Sequence, residues 1–427
     1  MGALEKVRRA KQKVNRTDAP EMPGDDARPQ FKLTDLGNAE RLIDRHGSDL
    51  RYCNRWLAWD GKRWCADDTG AVYRAAMATV RGMYATASTI DNPDARQAMV
   101  KWARDSESRS RIEAMVSLAK SLPGVTVKPS QLDSDPRLFN CANGTIDLST
   151  GALREHQRAD LITKISPVEY DPAAKCPTWD RFLDEVLPDP DVRGFVQRFF
   201  GYGLTGLIRE RVIVFMYGLG ANGKSVLLVT VRTAMGEYAQ VMSPDLLMAK
   251  RGEVHPTEVA DLFGSRLAVC SEVNTDRAFD EGLVKRLTGN EPIKARRMRE
   301  DFFEFSPTWK LTLAANHRPE VRDTTDSIWD RIRQVPFTVR IPPERQDRAL
   351  GEKLLNELSG VLRWCVNGCL DWQRVGLNEP PAVMAATSDY RREQDHIARF
   401  LAECCVEEGT AIVGATPLFE AFTGWCR

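Results

Sequence analysis

The sequence has little of what several protein classes require. Its longest purely apolar run is Val212 to Tyr217, far short of the ~20 residues of a membrane-crossing helix, so no membrane span is expected. The N-terminus, MGALEKVRRAKQKVNR, carries charge where a secretory signal needs an apolar segment, and the expected compartment is the cytoplasm. Ten cysteines are scattered without a CxxC pair and histidine occurs only five times. That spacing argues for reduced thiols filling a core and against a structural zinc site. No internal repeat is visible, and Lys plus Arg balance Asp plus Glu at 60 each. Global charge therefore does not announce a polyanionic partner, although local charge can.

What is present suits a folded chain. Hydrophobic residues make up 42% and charged residues 28% of 427 residues, enough for roughly two to four domains. Residues 1–30 run from basic (Lys6, Arg8, Arg9, Lys11) to acidic and proline-rich (Asp18, Glu21, Asp25, Asp26), the composition of a disordered tail. Arg55 to Trp64 alternates large apolar residues around Asp60-Gly61, a hairpin signal. From Ala71 to Leu122 apolar residues recur at threes and fours (Met77, Val80, Tyr84; Ile112, Met115, Val116, Leu118), predicting two or three helices. Asn143-Gly144 and Ser149-Thr150-Gly151 punctuate a second small β element, and the loop from Tyr170 to Pro177 reads as a boundary. Helices are predicted over 179–187 and 192–201, and again after Pro342 through Leu350, Leu354, Leu358, Val361 and Cys365, with Pro380-Pro381 ending that unit.

The chemistry concentrates after Arg211. An apolar strand, Val212 to Tyr217, runs into Gly218-Leu-Gly-Ala-Asn-Gly-Lys-Ser225 and then an apolar helix. This is a phosphate loop in the context that pattern demands. Amides of a loop built on Gly218, Gly220, Asn222 and Gly223, with a helix N-terminus behind them, form a nest for anionic phosphates. Lys224 would reach the β- and γ-phosphates of ATP, and the Ser225 hydroxyl would sit on Mg²⁺. A second strand, Arg266 to Glu272, ends on an acid that could polarise the attacking water and help hold the metal; Ser271 precedes it where a second acid is common. A third strand, Trp309 to Ala315, ends on Asn316, a neutral amide able to position water or sense the γ-phosphate. Arg331 and Arg333 follow as candidates for stabilising transition-state charge. Lys285 to Arg299 holds six basic residues against Glu291 alone. Within it, Pro292 to Arg296 and Phe302 to Phe305 read as two short strands around a polar tip. Such a basic hairpin would grip nucleic-acid phosphates without reading bases, with Lys285, Lys294, Arg297 and Arg299 as the contacts.

This series resembles the superfamily 3 helicases, and most closely the phage and plasmid primase-helicases related to the poxvirus primase-helicase. The residues that carry the resemblance are Gly-Ala-Asn-Gly-Lys-Ser at the loop, Ser271-Glu272, Val284 to Arg296, Phe305-Ser-Pro-Thr-Trp-Lys310, Ala-Asn-His-Arg-Pro319, and Ile328 to Phe337. Phe139 to Asp147 is similar to the family's region ahead of the helicase core. The resemblance implies an α/β fold: an AAA+-like P-loop αβα core with a parallel sheet (211–341), a mixed α+β pre-helicase domain before it (31–176) and a helical collar between them (177–210). A helical bundle (342–382) and a partial winged-helix-like segment (383–427) follow. It implies a hexameric ring with ATP between subunits, Arg331 acting on the neighbour's ATP, and single-stranded or forked DNA as substrate, tracked 3′ to 5′. A phage or plasmid origin would put it in a bacterial host's cytoplasm. The stretch before Phe31 is too short for a primase domain, so a separate primase or polymerase is expected. The alternative class is an origin-binding or loading ATPase with little unwinding; a small-molecule P-loop kinase is disfavoured by the basic hairpin.

Overall fold

The computed structural model describes residues 31–249, 256–271, 277–298, 301–323, 325–406, 408–410 and 412–426. They divide into two compact units. One holds residues 31–58 and 66–127 and the other holds 59–65 and 128–426. No helix among the described residues is long and apolar enough to cross a membrane.

In the first unit the helix Asp35–His46 starts where the Thr34 hydroxyl accepts from the Gly37 amide at 3.1 Å. Strands β1 (Leu50–Cys53) and β2 (Arg55–Trp59) pair antiparallel, joined through Asn54 at φ 57°. Three helices follow, Ala71–Ser88, Pro93–Ser106 and Arg109–Ala119, as the spacing predicts. Val80, Met83, Met115 and Val116 fill the core with Leu42 and Leu50. Met77 and Leu118, which share the periodicity, face solvent.

The second unit begins with the turn at Asp60-Gly61, where Asp60 Oδ1 accepts from the amides of Lys62 and Arg63, both at 2.8 Å, ahead of β3 (Trp64–Ala66). An antiparallel meander follows, β4 (Leu138–Cys141), β5 (Gly144–Asp147) and β6 (Ala152–Arg154), with its turns at the expected Asn143-Gly144 and Ser149–Gly151 positions. The expected boundary near 176 is not where the chain divides. Phe139 stacks on Tyr238 with ring centroids 4.5 Å apart, and Ile146, Leu148 and Tyr170 share one core with Trp179, Phe195 and Val214. Burial of these large side chains joins 128–176 to the parallel sheet. The two next helices, Pro177–Val186 and Pro190–Gly203, start two residues earlier than their apolar pattern, because proline is accommodated at the first helical position.

The sheet consists of β7 (Ile213–Tyr217), β8 (Ala239–Val241), β9 (Leu267–Ser271), then, after the antiparallel hairpin of β10 (Ile293–Ala295) and β11 (Phe303–Phe305), β12 (Lys310–Ala315) and β13 (Ile332–Pro336). All five sheet strands are parallel in the order β13-β7-β12-β9-β8. Their apolar runs bury both faces. On β7, Val214 and Met216 enter one core while Ile213 and Phe215 enter the other. This is the αβα core.

Two cations are buried at the N-terminal ends of β9 and β12. Arg266 Nη1 donates to Leu204 O at 2.6 Å, and Lys310 Nζ donates to Thr205 O. Both satisfy carbonyls at the C-terminus of Pro190–Gly203, where the helix dipole is negative. In that helix Gly201 lies so close to helix Leu358–Val375 that a Cβ would meet Cys369 N at 2.1 Å, so only glycine permits the crossing.

The helical run predicted after Pro342 is broken into Leu350–Leu355 and Leu358–Val375. Between them, the Glu357 carboxylate accepts from the Thr178 and Trp179 amides, capping a helix 178 residues away in sequence. Pro380-Pro381 does not end the unit. Pro381 opens the helix Pro381–Gln394, whose Tyr390 is fully buried against Phe215 and Trp329 beneath the sheet. The helices His396–Cys404 and Ala415–Trp425 then pack through Phe400, Phe422 and Trp425.

Candidate phosphate-binding site and basic hairpin

The glycine loop leaves the buried strand β7 and turns through three residues with positive φ: Gly220 at 96°, Ala221 at 49° and Gly223 at 83°. Gly223 is the N-cap of Lys224–Met235, and Val186 and Phe182 crowd it from behind, leaving no room for a side chain. Gly218 is equally confined, between Asn222 and Phe337 O. The segment after β13 holds the loop from the other side: the Phe337 amide donates to Tyr217 O at 2.7 Å and the Ile341 amide to Ala221 O at 2.8 Å. These contacts were invisible in the loop motif itself. Their only sequence trace is Val335-Pro-Phe337.

Within the loop the Lys224 ammonium donates to Gly218 O (2.6 Å), Asn222 Oδ1 (2.9 Å) and Asn316 Oδ1 (3.1 Å). Burial without a carboxylate pushes its pKa down to about 8. All three acceptors are neutral, so a phosphate would meet a lysine whose charge is uncompensated. Asn316 ends β12 beside β7, and the fold thus brings together two residues that the sequence separates by 92 positions. Ser225 is exposed in the first helical turn. Glu272 lies outside the described residues; β9 is followed up to Ser271. The described residues contain no group of three or more His, Cys, Asp or Glu able to hold a metal.

One further residue at this edge was not anticipated. Arg318, two positions beyond Asn316, lies 4.5 Å from the Tyr217 ring centroid, bonds Gln334 Oε1 at 3.0 Å and pairs with Glu393. It ties helix Pro381–Gln394 to the root of the phosphate loop, and the Ala-Asn-His-Arg-Pro phrase was its signal.

Arg331 stands at the opposite edge of the sheet. Its carbonyl accepts from Ile213 N at 2.8 Å, at the start of β7, roughly 13 Å of strand away from the loop. Its Nη1 donates to Thr288 Oγ1 at 3.2 Å, while its Nε is buried with no acceptor among the described residues. Burial and the neighbouring Arg211 lower its pKa. Arg333 is committed elsewhere, to Glu379 and to the carbonyls of Asp330 and Ile332, both at 2.9 Å.

The basic hairpin forms as two strands with Lys294 opposite Glu304. Lys294 and Arg297 are exposed, Arg296 lies over the Phe302 ring at 4.9 Å, and Arg299 lies outside the described residues. Phe263, Phe303, Phe305 and Trp309 pack edge to face and stacked at its base. Lys285 does not join this group. It sits on the helix Glu281–Leu287 and pairs at 2.6 Å with Asp323, whose carboxyl it holds at about 2.

A parallel sheet whose first strand enters a glycine loop, with a lysine and a strand-end asparagine in contact above it, defines a P-loop αβα protein. Residues 39–188 match the family described as D5 N terminal like, and residues 216–333 match a family of unknown function, DUF5906. The chain is 26% identical to "Putative helicase 022R" of Frog virus 3 (isolate Goorha), across 69% of this chain and 39% of that protein. It is 21% identical to a "Putative primase" of African swine fever virus (isolate Tick/Malawi/Lil 20-1/1983), across 69% of this chain and 34% of that protein. The matches thus span less than two fifths of these relatives' lengths. Among solved structures, the apo NrS-1 C terminal region (305-718) is similar at 13% identity and a TM-score of 0.48, covering 69% of this chain and 68% of that one. Residues 39–188 are thus similar to the D5 N-terminal region, and the chain as a whole is similar to viral proteins named as helicases and primases.

Proposed function

We propose that this chain is the motor portion of a replicative DNA helicase of the superfamily 3 type, hydrolysing ATP to move along single-stranded DNA and open forks. The observation that carries the reading is the contact of Lys224 with both the loop oxygens and Asn316. In this reading the ammonium is the phosphate-holding cation and the strand-end amide beside it orients water. On phosphate entry, Lys224 exchanges its neutral acceptors for phosphate oxygens, and Asn316 is left free to orient the attacking water. Mg²⁺ would neutralise charge on the phosphates, with the Ser225 hydroxyl as the ligand this chain offers and Glu272 as the general base.

The position of Arg331 supports shared sites in a ring. It is too far along the sheet to serve its own loop, yet its Nε has no acceptor among the described residues. In this reading it serves the neighbouring subunit, the oligomer is a hexamer, and the hairpin Ile293–Phe305 grips the strand, with 3′ to 5′ movement. A separate primase or polymerase would cooperate.

The test is steady-state ATP hydrolysis with and without single-stranded DNA, alongside strand displacement from a forked duplex. The wild-type chain is expected to show DNA-stimulated hydrolysis and displacement, and Lys224→Ala to lose both by about a hundredfold or more. Hydrolysis in Lys224→Ala equal to wild type would refute the site. Stimulated hydrolysis without displacement would favour the origin-loading alternative.

A further inference from the structure

A cavity of about 310 Å³ lies wholly within the unit of residues 31–58 and 66–127. Its walls come from the β1–β2 hairpin and from the start of helix Ala71–Ser88. Tyr52 and Trp56 are cross-strand partners, so both side chains leave the hairpin on one face, and their rings meet edge to face at 5.5 Å. Tyr73, 44% exposed in the first helical turn, adds a third ring. Arg55 and Lys120 line the same space, with the Lys120 ammonium 5.0 Å from the Tyr52 ring centroid. Neither cation is held in an ion pair among the described residues.

Two features point to what enters. The indole N–H of Trp56 is buried without an acceptor among the described residues, a donor that a ligand oxygen or ring nitrogen would satisfy. Of the two acids on the wall, Asp67 has both oxygens occupied by the amides of Ala71 (2.6 Å) and Val72 (2.9 Å). Those amides tie Asp67 to the helix start, so the open wall presents the Arg55 and Lys120 cations and the Asp68 carboxylate beside three aromatic rings. A flat base carrying a phosphate matches the rings, the indole donor and the two cations that no carboxylate holds.

We propose that this cavity receives one nucleotide of a single-stranded nucleic acid, its base against Trp56 and Tyr73 and its phosphate at Arg55 and Lys120. The assignment uses nothing from the phosphate loop, and its test runs without ATP.

The experiment uses the full chain and an oligothymidylate of about eight nucleotides, a typical site length, carrying one 5-iodo-deoxyuridine. Photocrosslinked peptides are mapped by mass spectrometry, and affinity is read by fluorescence anisotropy for wild type, Tyr73→Ala and Lys120→Glu. Crosslinks are expected on peptides containing Tyr52, Trp56 or Tyr73, with each variant weakening binding about tenfold. Lys120→Glu should also flatten the salt dependence by about one phosphate contact. Affinities equal to wild type in both variants, with crosslinks confined to residues 293–305, would overturn the proposal. So would thymidine monophosphate displacing the crosslink as effectively as the oligonucleotide per nucleotide, which would make the cavity a free-nucleotide site.

Discussion

Lys224 is the residue on which the proposed chemistry turns, and its environment makes its charge conditional. With a folded-state pKa of about 8 against an ordinary 10.5, the unfolded chain binds more protons than the folded one between those values. Burying the ammonium therefore costs stability in full below about pH 8, and the cost is relieved as pH rises toward 10.5. Lys224→Met should lose this upward component, so denaturant midpoints measured at about pH 7 and about pH 10 should rise less in the variant than in wild type. Nucleotide affinity should run the other way, falling as pH passes about 8, because the phosphates need the protonated form. Asn316 contributes nothing to this shift, but it shares the ammonium with Asn222. The Asn316 contact could not be assigned from the loop motif, since contact across 92 residues depends on strand order.

At the scale of elements, the hairpin Ile293–Phe305 joins a charged tip to an aromatic base. Tip and base should separate experimentally. Replacing Arg297 and Arg299 together with alanine should weaken single-stranded DNA binding and lower the slope of log affinity against log salt by about two. Unfolding midpoints should barely move, because Arg297 is exposed. Trp309→Ala should do the reverse. Trp309 is 2% exposed and donates its indole N–H to Leu287 O at 3.1 Å, so its removal should cost ~3–5 kcal/mol in chemical denaturation. Strands β7, β9 and β12, the hairpin and the helices 71–119 were legible because their patterns record which faces are buried, whereas the short edge strand β8 and β13 were not read. The break at Asn356-Glu357 was not, because what stabilises it is capping of a distant helix N-terminus. Lys285 shows the same limit: charge clustering in sequence put it with the hairpin, while the fold pairs it with Asp323.

For the whole molecule, the separation of Arg331 from its own loop makes subunit mixing the decisive measurement. Lys224→Ala and Arg331→Ala chains should each fall about a thousandfold in hydrolysis, and mixing them should restore part of it, since some interfaces then combine an intact loop with an intact arginine. No recovery over a range of mixing ratios would argue against shared sites. The sequence by itself determined the phosphate loop, the strand-end asparagine, the apolar run of β7 and the charge of the hairpin, because each rests on neighbours a few residues apart. Only the tertiary structure decided that residues 128–176 belong with the sheet, that Arg333 is spent on Glu379 while Arg331 keeps a donor, and that Phe337 and Ile341 brace the loop. Those outcomes depend on which distant surfaces exclude water together, and strand order, not local pattern, sets that.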